Sequence, residues 1–152
     1  MPDGAEASYT TVANPDSAFV VPYFDDGDTM LVRQWRHAWD GSSWEVPAGT
    51  FDGREEPLAC AGRELAEETG LVAERYTPLG VYHGAAFLTG SAHMFLAEGL
   101  SEGARRPEAY EQDMETLRLP FAEALKAALD GSIVHSGSVT ALCRAARTLK
   151  LL

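Results

Sequence analysis

The stretch from Gly49 to Leu71 reads GTFDGREEPLACAGRELAEETGL, and it decides the fold of the chain. Pro57 suits the first position of a helix, where the missing N–H is not needed, and Gly70 suits the left-handed residue that follows a helix. Between them a thin apolar stripe repeats at helical spacing through Leu58, Gly62, Leu65 and Thr69. The stretch therefore predicts a turn followed by a helix.

The predicted helix carries several carboxylates on one side. Glu64 and Glu68 lie four positions apart and Glu67 lies three from Glu64, so the three side chains are expected to point the same way. Like charges at this spacing destabilise an isolated helix by ~0.2–0.5 kcal/mol per pair. A divalent cation such as Mg²⁺, which takes oxygen ligands, would neutralise them. Taken alone, however, the cluster is more simply interpreted as a solvated acidic face.

The spacing of the whole stretch is much more specific than its acidity. It follows Gly-x5-Glu-x7-Arg-Glu-U-x-Glu-Glu-x-Gly-U without exception, where U is an aliphatic residue. Ordinary residue frequencies give this pattern a chance on the order of 10⁻⁹ at any one starting point. The pattern is the signature of the Nudix hydrolases, and the chain resembles that family.

The resemblance implies a fold, an activity and a metal site. The implied fold is the Nudix fold of the α/β class, a mixed β-sheet sandwiched between α-helices. The implied activity is metal-dependent hydrolysis of the pyrophosphate of a nucleoside diphosphate linked to another group. Glu64, Glu67 and Glu68, with the carbonyl of Ala48, would hold Mg²⁺ or Mn²⁺, two or three ions when substrate is bound.

Two further signature residues are predicted to serve catalysis without binding metal directly. Arg63 is expected to orient the helix carboxylates through ion pairs and to leave the phosphate untouched. Glu55, near the start of the helix, is expected to support the metal ligands from behind, as partners of metal-binding side chains commonly do.

The residues before the signature add a second resemblance. RQWRHAWDGSSWEVPAG, residues 33–49, is similar to the segment that precedes the signature in Nudix enzymes that cleave ADP-ribose. In that subfamily the residues in the places of Arg36 and Glu45 belong to the substrate site. Arg33 is a further candidate for substrate binding, because the planar guanidinium fork suits phosphate. Periodicity alone equally allows a strand end with ordinary polar residues.

Two loops after the signature carry the remaining candidates. Residues 84–90 read GAAFLTG and lack the proline and the acidic residues that ADP-ribose enzymes usually carry there. Phe87 in this loop is predicted either to stack on the base of the substrate or to pack into its own core. Glu111 matches a glutamate that serves in catalysis in the ADP-ribose subfamily, where it comes just before an x-Asp-Met run. A plain acidic loop is the alternative for Glu111.

Composition excludes several classes of protein. The chain has 152 residues, 45% of them hydrophobic, which suits one domain with its own core. Apolar runs of membrane-spanning length and a secretory signal are missing from the sequence, so a cytoplasmic protein without a membrane partner is expected. The net charge of −11 argues against a nucleic-acid partner. Cys60 and Cys143 are isolated, and two buried reduced thiols are expected.

The rest of the chain predicts one domain of alternating strands and helices. Residues 1–16 are expected to form a flexible tail and residues 17–152 a single Nudix hydrolase domain. Strands are predicted at 17–24, 29–36, 44–46, 78–83, 92–98 and 114–119, and further helices at 121–129 and 138–150. Residues 25–28 are predicted as the hairpin turn between the first two strands. The ADP-ribose subfamily often forms homodimers that exchange N-terminal segments, so a homodimer is a candidate, although so short a tail argues against an extensive exchange.

The leading substrate from the sequence is ADP-ribose, cleaved to AMP and ribose 5-phosphate. The altered 84–90 loop favours the alternatives, which are another nucleoside diphosphate sugar or an oxidised nucleotide. A Nudix domain retained as a non-catalytic nucleotide sensor belongs to a different class. The intact signature argues against a sensor, because sensing would not need every carboxylate.

Overall fold

The computed structural model describes residue 4, residues 6–103 and residues 114–152, which form two β-sheets and three α-helices. The strands are β1 (Asp16–Pro22), β2 (Asp28–Arg36), β3 (Gly41–Glu45), β4 (Ala48–Phe51), β5 (Leu71–His83), β6 (Ser91–Glu102) and β7 (Glu115–Pro120). The helices are α1 (Pro57–Thr69), α2 (Phe121–Asp130) and α3 (Ser136–Thr148). Within this described part of the chain, every helix is too short or too polar to cross a lipid bilayer.

The larger sheet has helices on both faces. Its strand order is β4-β1-β6-β5, with β1 parallel to β6 and the other pairs antiparallel, so the sheet is mixed. Successive residues of β1 point to opposite faces: Ala18 and Val20 pack with α1, whereas Phe19 and Val21 pack in the core that α2 and α3 cover. The predicted sandwich of a mixed sheet between helices is confirmed.

The smaller sheet, in the order β3-β2-β7, corrects the predicted hairpin. The turn at residues 25–28 is present, and the N–H of Gly27 donates to the carbonyl of Phe24 at 2.9 Å within it. The strands then diverge: an isolated bridge joins Tyr23 and Thr29, and the hydroxyl of Thr29 donates to the carbonyl of Pro22 at 2.7 Å. Both edges of β1 are already occupied by β4 and β6, so β2 enters the other sheet.

Several strand boundaries differ from the sequence prediction. The signature turn was expected to begin at Gly49, yet residues 48–51 pair with β1 as the edge strand β4. The strand expected at 78–83 begins at Leu71, directly after α1, and pairs with β6 as far as Glu102. Much of β5 is exposed on an outer edge of the sheet, so its sequence is polar. A prediction based on hydrophobic periodicity therefore assigns its first part to a loop.

The exposed edge strand β5 is irregular in its second half. Its register against β6 shifts between Pro78 and Gly80, and Gly80 has a φ of 96°. Arg144 of α3 donates to the carbonyls of Leu79 at 3.2 Å and Val81 at 3.0 Å. The side chain from α3 therefore occupies two backbone acceptors of this strand.

The described residues before β1 lie along the 84–90 loop. The N–H of Val12 donates to the carbonyl of Phe87 at 2.8 Å, and the N–H of Thr89 donates to the carbonyl of Val12 at 3.2 Å. The hydroxyl of Tyr9 donates to the carbonyl of Ala86 at 3.4 Å. The domain division at residue 16 stays a prediction, and β1 begins with Asp16 itself.

Candidate active site

An open cavity of about 1040 Å³ lies between α1 and β2 and has two contrasting walls. The acidic wall, from β4 and α1, consists of Ala48, Gly49, Thr50, Arg63, Glu64 and Glu67. The basic wall, from β2 and β3, consists of Arg33, Gln34, Trp35, Arg36 and Ser42. Met114 and Glu115 complete the described lining. Cations on one side therefore face carboxylates on the other.

The ends of α1 follow the sequence prediction, and they place the carboxylates. Pro57 is the first helical residue, and Gly70 follows the helix with a φ of 75° while its N–H donates to Ala66 at 2.9 Å. Cys60 and Leu65 are buried against the larger sheet. Because these two residues fix the rotation of the helix, the glutamates project towards β4 and the cavity.

Arg63 gathers three carboxylates around one guanidinium. Its Nε and Nη2 donate to the two oxygens of Glu55 at 3.1 and 3.0 Å. Its Nη1 donates to Glu64 at 2.7 Å and to Glu67 at 2.9 Å. The hydrogen bonds with Glu55 raise the pKa of Arg63 and lower the pKa of Glu55. Arg63 thus offsets the repulsion between neighbouring carboxylates.

Glu68 is buried beneath the cavity and has different partners. Its Oε2 accepts from the N–H of Ala48 at 3.0 Å, and its Oε1 accepts from Nε2 of Gln34 at 3.0 Å. Glu68 therefore ties α1 to both β4 and β2. Sequence analysis placed the three helix glutamates on one side, but it did not select Gln34.

The backbone of β4 also contributes polar groups to the acidic wall. Val20 donates to the carbonyl of Pro47 at 2.9 Å, which makes Phe19 and Ala48 a non-hydrogen-bonded pair. The N–H and carbonyl of Ala48 therefore turn away from β1, and the N–H donates to Glu68. At Gly49, an added Cβ would collide with the carboxylate of Glu64. The missing side chain lets that carboxylate approach β4.

The donor set of the acidic wall fits a hard divalent cation. Carboxylate and carbonyl oxygens are the ligands that Mg²⁺ and Mn²⁺ prefer. Among the described residues, no three His, Cys, Asp or Glu side chains converge as a metal cluster. Glu64 and Glu67 instead form ion pairs with Arg63. The predicted ligands Ala48, Glu64 and Glu67 line the cavity together, and Glu68 supports them from beneath.

On the basic wall, Arg36 is held by a buried carboxylate. Its Nε donates to Oε1 of Glu45 at 2.8 Å, and its Nη2 donates to Oε2 of Glu45. Glu45 is only 1% exposed and does not line the cavity. The hydrogen bond that Arg36 donates to this carboxylate raises the pKa of Arg36. The structure thus places Glu45, one of the four predicted substrate-binding residues, behind Arg36, which is another of them.

Glu45 has a second partner that sequence analysis missed. Nδ1 of His135, just before α3, lies 3.0 Å from Oε2 of Glu45 and 2.9 Å from Oγ of Ser138. The N–H of Val46 donates to the same hydroxyl at 3.1 Å. Burial lowers the pKa of His135. The only signal in the sequence was a histidine at the start of a helix, which does not identify a partner on a distant strand.

The other candidates are distributed unevenly. Arg33 lines the cavity, with its Nη1 3.5 Å from Glu115 and its guanidinium carbon 6.0 Å from the ring centre of Trp44. Phe87 is half-exposed and is not one of the cavity-lining residues. Glu111 lies outside the described residues. Trp35, which sequence analysis did not select, contributes an exposed ring to the lining.

Comparison with known proteins identifies the family of the chain. A family model described as the NUDIX domain matches residues 13–136. The chain is 38% identical over 140 residues to an ADP-ribose pyrophosphatase of Mycobacterium tuberculosis, covering 90% of this chain and 67% of the relative. It is 33% identical over 128 residues to an ADP-ribose pyrophosphatase of Bacillus subtilis, covering 83% and 69%.

A solved structure supports the fold separately. A crystal structure of an ADP compounds hydrolase superposes with a TM-score of 0.79 at 22% sequence identity. The superposition covers 89% of this chain and 72% of the other. At this level of identity the likeness concerns the arrangement of strands and helices.

Proposed function

The chain belongs to the NUDIX family, and on that premise we propose that it hydrolyses ADP-ribose to AMP and ribose 5-phosphate. Water adds to one phosphorus of the pyrophosphate, the bridging P–O bond breaks, and each product keeps one phosphate as a monoester. The observation that carries the proposal is the pairing of an unbroken signature on the acidic wall with two arginines on the facing wall.

The acidic wall is proposed to bind divalent cations, Mg²⁺ or Mn²⁺, two or three of them with substrate present. Glu64, Glu67 and Glu68 with the carbonyl of Ala48 would hold them. Bound metal supplies neutralisation of phosphate charge and activation of water in this type of displacement. Arg63 keeps Glu64 and Glu67 together through direct hydrogen bonds, and Glu55 fixes the guanidinium from its other side.

The basic wall is proposed to bind the phosphates of the substrate. Arg36 offers its guanidinium to the cavity while Glu45 holds it from behind, so the positive charge is oriented before substrate arrives. Arg33 is held more loosely, since its side chain is 46% exposed and its partner is 3.5 Å away. We therefore assign Arg36 the larger share of phosphate binding. Phe87 remains a prediction for base stacking.

Glu111 is proposed as the general base. A general base must come within hydrogen-bond reach of the attacking water. The proposal for Glu111 is supported by its match to the ADP-ribose subfamily, and its position lies outside the described residues. The alternative is activation of the water by the metal-bound helix carboxylates alone.

One sequence feature favours a second candidate substrate, another nucleoside diphosphate sugar. The 84–90 loop lacks the proline and the acidic residues expected for ADP-ribose. An oxidised nucleotide is a further alternative, and a non-catalytic nucleotide sensor is the alternative of a different class. The sensor has the least support, because Arg63, Glu64 and Glu67 of the signature all line the cavity.

A substrate panel tests the proposal. ADP-ribose, GDP-mannose, an oxidised nucleoside triphosphate and a dinucleotide are each incubated with Mg²⁺ and with Mn²⁺, and the released monophosphates are separated by chromatography. We expect ADP-ribose to be hydrolysed with the highest kcat/KM, with AMP as a product. Faster hydrolysis of the triphosphate, with ADP-ribose at background, would reject the proposal. Absence of metal-dependent turnover across the panel would favour the sensor.

Location and assembly also remain proposals. The net charge of −11 supports the absence of a nucleic-acid partner, and a cytoplasmic location stays a prediction. A homodimer is tested by the mass in solution, since a dimer would have twice the chain mass of 16.4 kDa.

A further inference from the structure

We propose that His135 is a positioning residue for Arg36, and that it acts by holding the carboxylate of Glu45. The inference rests on the proposed function, in which Arg36 binds substrate phosphate. His135 belongs to neither the signature nor the segment that precedes it, and it reaches the basic wall only through the fold. The contact chain runs from His135 through buried Glu45 to Arg36 at the cavity.

The contact with Glu45 defines which nitrogen of His135 carries a proton. Glu45 accepts from Arg36 at both of its carboxylate oxygens, and a carboxylate in such a pair acts as an acceptor towards further groups. Nδ1 of His135, 3.0 Å from Oε2, must therefore be the protonated nitrogen. Because burial disfavours the charged imidazolium, His135 is a neutral donor near neutral pH. It supports Glu45 without adding a charge that would compete with Arg36.

The surroundings of His135 restrict its ring on several sides. Phe19 of β1 and Trp39, in the turn between β2 and β3, lie with ring centres 5.5 and 5.9 Å away. Ser138 of α3 contacts the same nitrogen. The charged groups that affect it are Glu45 on β3 and Arg36 on β2. A ring held in this way keeps its N–H directed at one carboxylate oxygen.

The consequence for Arg36 follows from the sharing of the two carboxylate oxygens. Oε1 of Glu45 accepts from Arg36 alone among the bonds described, whereas Oε2 is shared between Arg36 and His135. Without the donor from His135, the carboxylate plane is free to rotate about its last torsion, which is soft. Arg36 then loses the two-point hold that fixes its fork, because that hold depends on the plane.

Two variants separate hydrogen bonding from packing. His135→Phe keeps an aromatic ring beside Phe19 and Trp39 but removes the donor. His135→Asn places an amide N–H close to the position of Nδ1 and cannot titrate. We expect His135→Phe to raise KM for ADP-ribose about tenfold, the scale of one hydrogen bond to a charged group, with kcat changed less than threefold. His135→Asn should restore KM to within about threefold of the original protein.

A spectroscopic readout does not depend on catalysis. The Nε–Hε signal of Arg36 in ¹H–¹⁵N spectra is assigned by its loss in Arg36→Lys, and its exchange with water is measured in each variant. Faster exchange in His135→Phe, with protection restored in His135→Asn, supports positioning of Arg36. Unchanged exchange and KM in a folded His135→Phe protein would overturn the inference. If no substrate is hydrolysed at all, the proposed function fails, while the exchange rates still decide whether His135 orders Arg36.

Discussion

The two walls of the cavity hold their charges in opposite ways. On the acidic wall, Glu64 and Glu67 share one guanidinium with Glu55, and all the members lie within or just before α1. On the basic wall, Arg36 is held by a carboxylate that is 1% exposed and is contacted by His135, just before α3. The acidic wall is a local assembly open to the cavity, whereas the basic wall is a long-range assembly supported from the core.

Substitutions in the two walls should therefore affect activity and stability differently. A change in the acidic wall removes charge at the place where the reaction occurs, so activity should respond before stability does. A change behind the basic wall alters packing between β1, β3 and α3, so stability should respond first. Four predictions, ordered by expected effect, test this division.

The largest effect is expected from Glu68→Gln. The amide keeps the shape of the side chain, its oxygen still accepts from Ala48, and the amide of Gln34 can turn to accept from its nitrogen. The fold should therefore survive, while the loss of one carboxylate lowers kcat by ~10³-fold. Turnover with saturating Mg²⁺ and the melting temperature give the two readouts. Full activity in this variant, or in excess chelator, would contradict the assignment of the acidic wall.

Glu111→Gln should reduce kcat by ~10²-fold, the usual scale for losing a general base. KM should change little, because the lost interaction belongs to the transition state. This variant sharpens the comparison by testing whether the acidic wall activates water unaided. Glu108→Gln and Glu115→Gln serve as controls. If a control variant loses turnover and Glu111→Gln does not, the general base is the residue changed in that control. If all three variants keep normal turnover, the carboxylates of the acidic wall activate the water.

A pair of glycine substitutions compares the two walls directly. In Gly49→Ala the new Cβ meets the flexible carboxylate of Glu64, so activity should fall by ~10–100-fold with little change in stability. In Gly137→Ala the new Cβ lies 2.5 Å from ring atoms of Phe19, which belongs to the core. Overpacking there should lower the free energy of unfolding by ~1–3 kcal/mol. Both variants are tested by chemical denaturation and by kcat/KM. A loss of stability in Gly49→Ala with a loss of activity alone in Gly137→Ala would contradict the proposed difference between the walls.

The smallest effect concerns pH. Burial lowers the pKa of folded His135 below the ordinary value of 6.5, so the unfolded chain takes up this proton first as pH falls. The neutral histidine contributes stability that is present above 6.5 and is lost as pH drops through the folded pKa. His135→Asn lacks this proton uptake, so its melting temperature should decline less between about pH 7 and pH 5.5. Parallel declines in the two proteins would show that His135 does not titrate differently on folding.

The acidic wall was predictable because its information is contiguous in the chain. Helical spacing, Pro57 and Gly70 predicted the ends of α1, and the signature predicted which carboxylates face one way. The individual partners did not follow from that pattern. Glu68 contacts β4 and β2 while Glu64 and Glu67 contact Arg63. That division depends on how α1 packs against the edge of the sheet.

The basic wall was only half predictable, because its parts meet through tertiary packing. Arg36 and Glu45 were found from one segment that resembles a subfamily, but periodicity does not indicate that one lies behind the other. The hydrogen bond between Val46 and Ser138 joins residues 92 positions apart. For the same reason the divergence of β1 and β2 was missed, since it depends on which strands occupy the edges of β1.

The irregular half of β5 has a consequence for the behaviour of the protein at high concentration. A long strand at the edge of a sheet is a template on which strands of other molecules can add, which is a common start of aggregation. In β5, Pro78 has no N–H to offer, the shift at Gly80 breaks the regular spacing, and Arg144 occupies the carbonyls of Leu79 and Val81. A strand from another molecule would find neither a continuous row of donors nor a continuous row of acceptors along this segment. The helix that supports the basic wall from behind therefore also protects the sheet from growing by one strand.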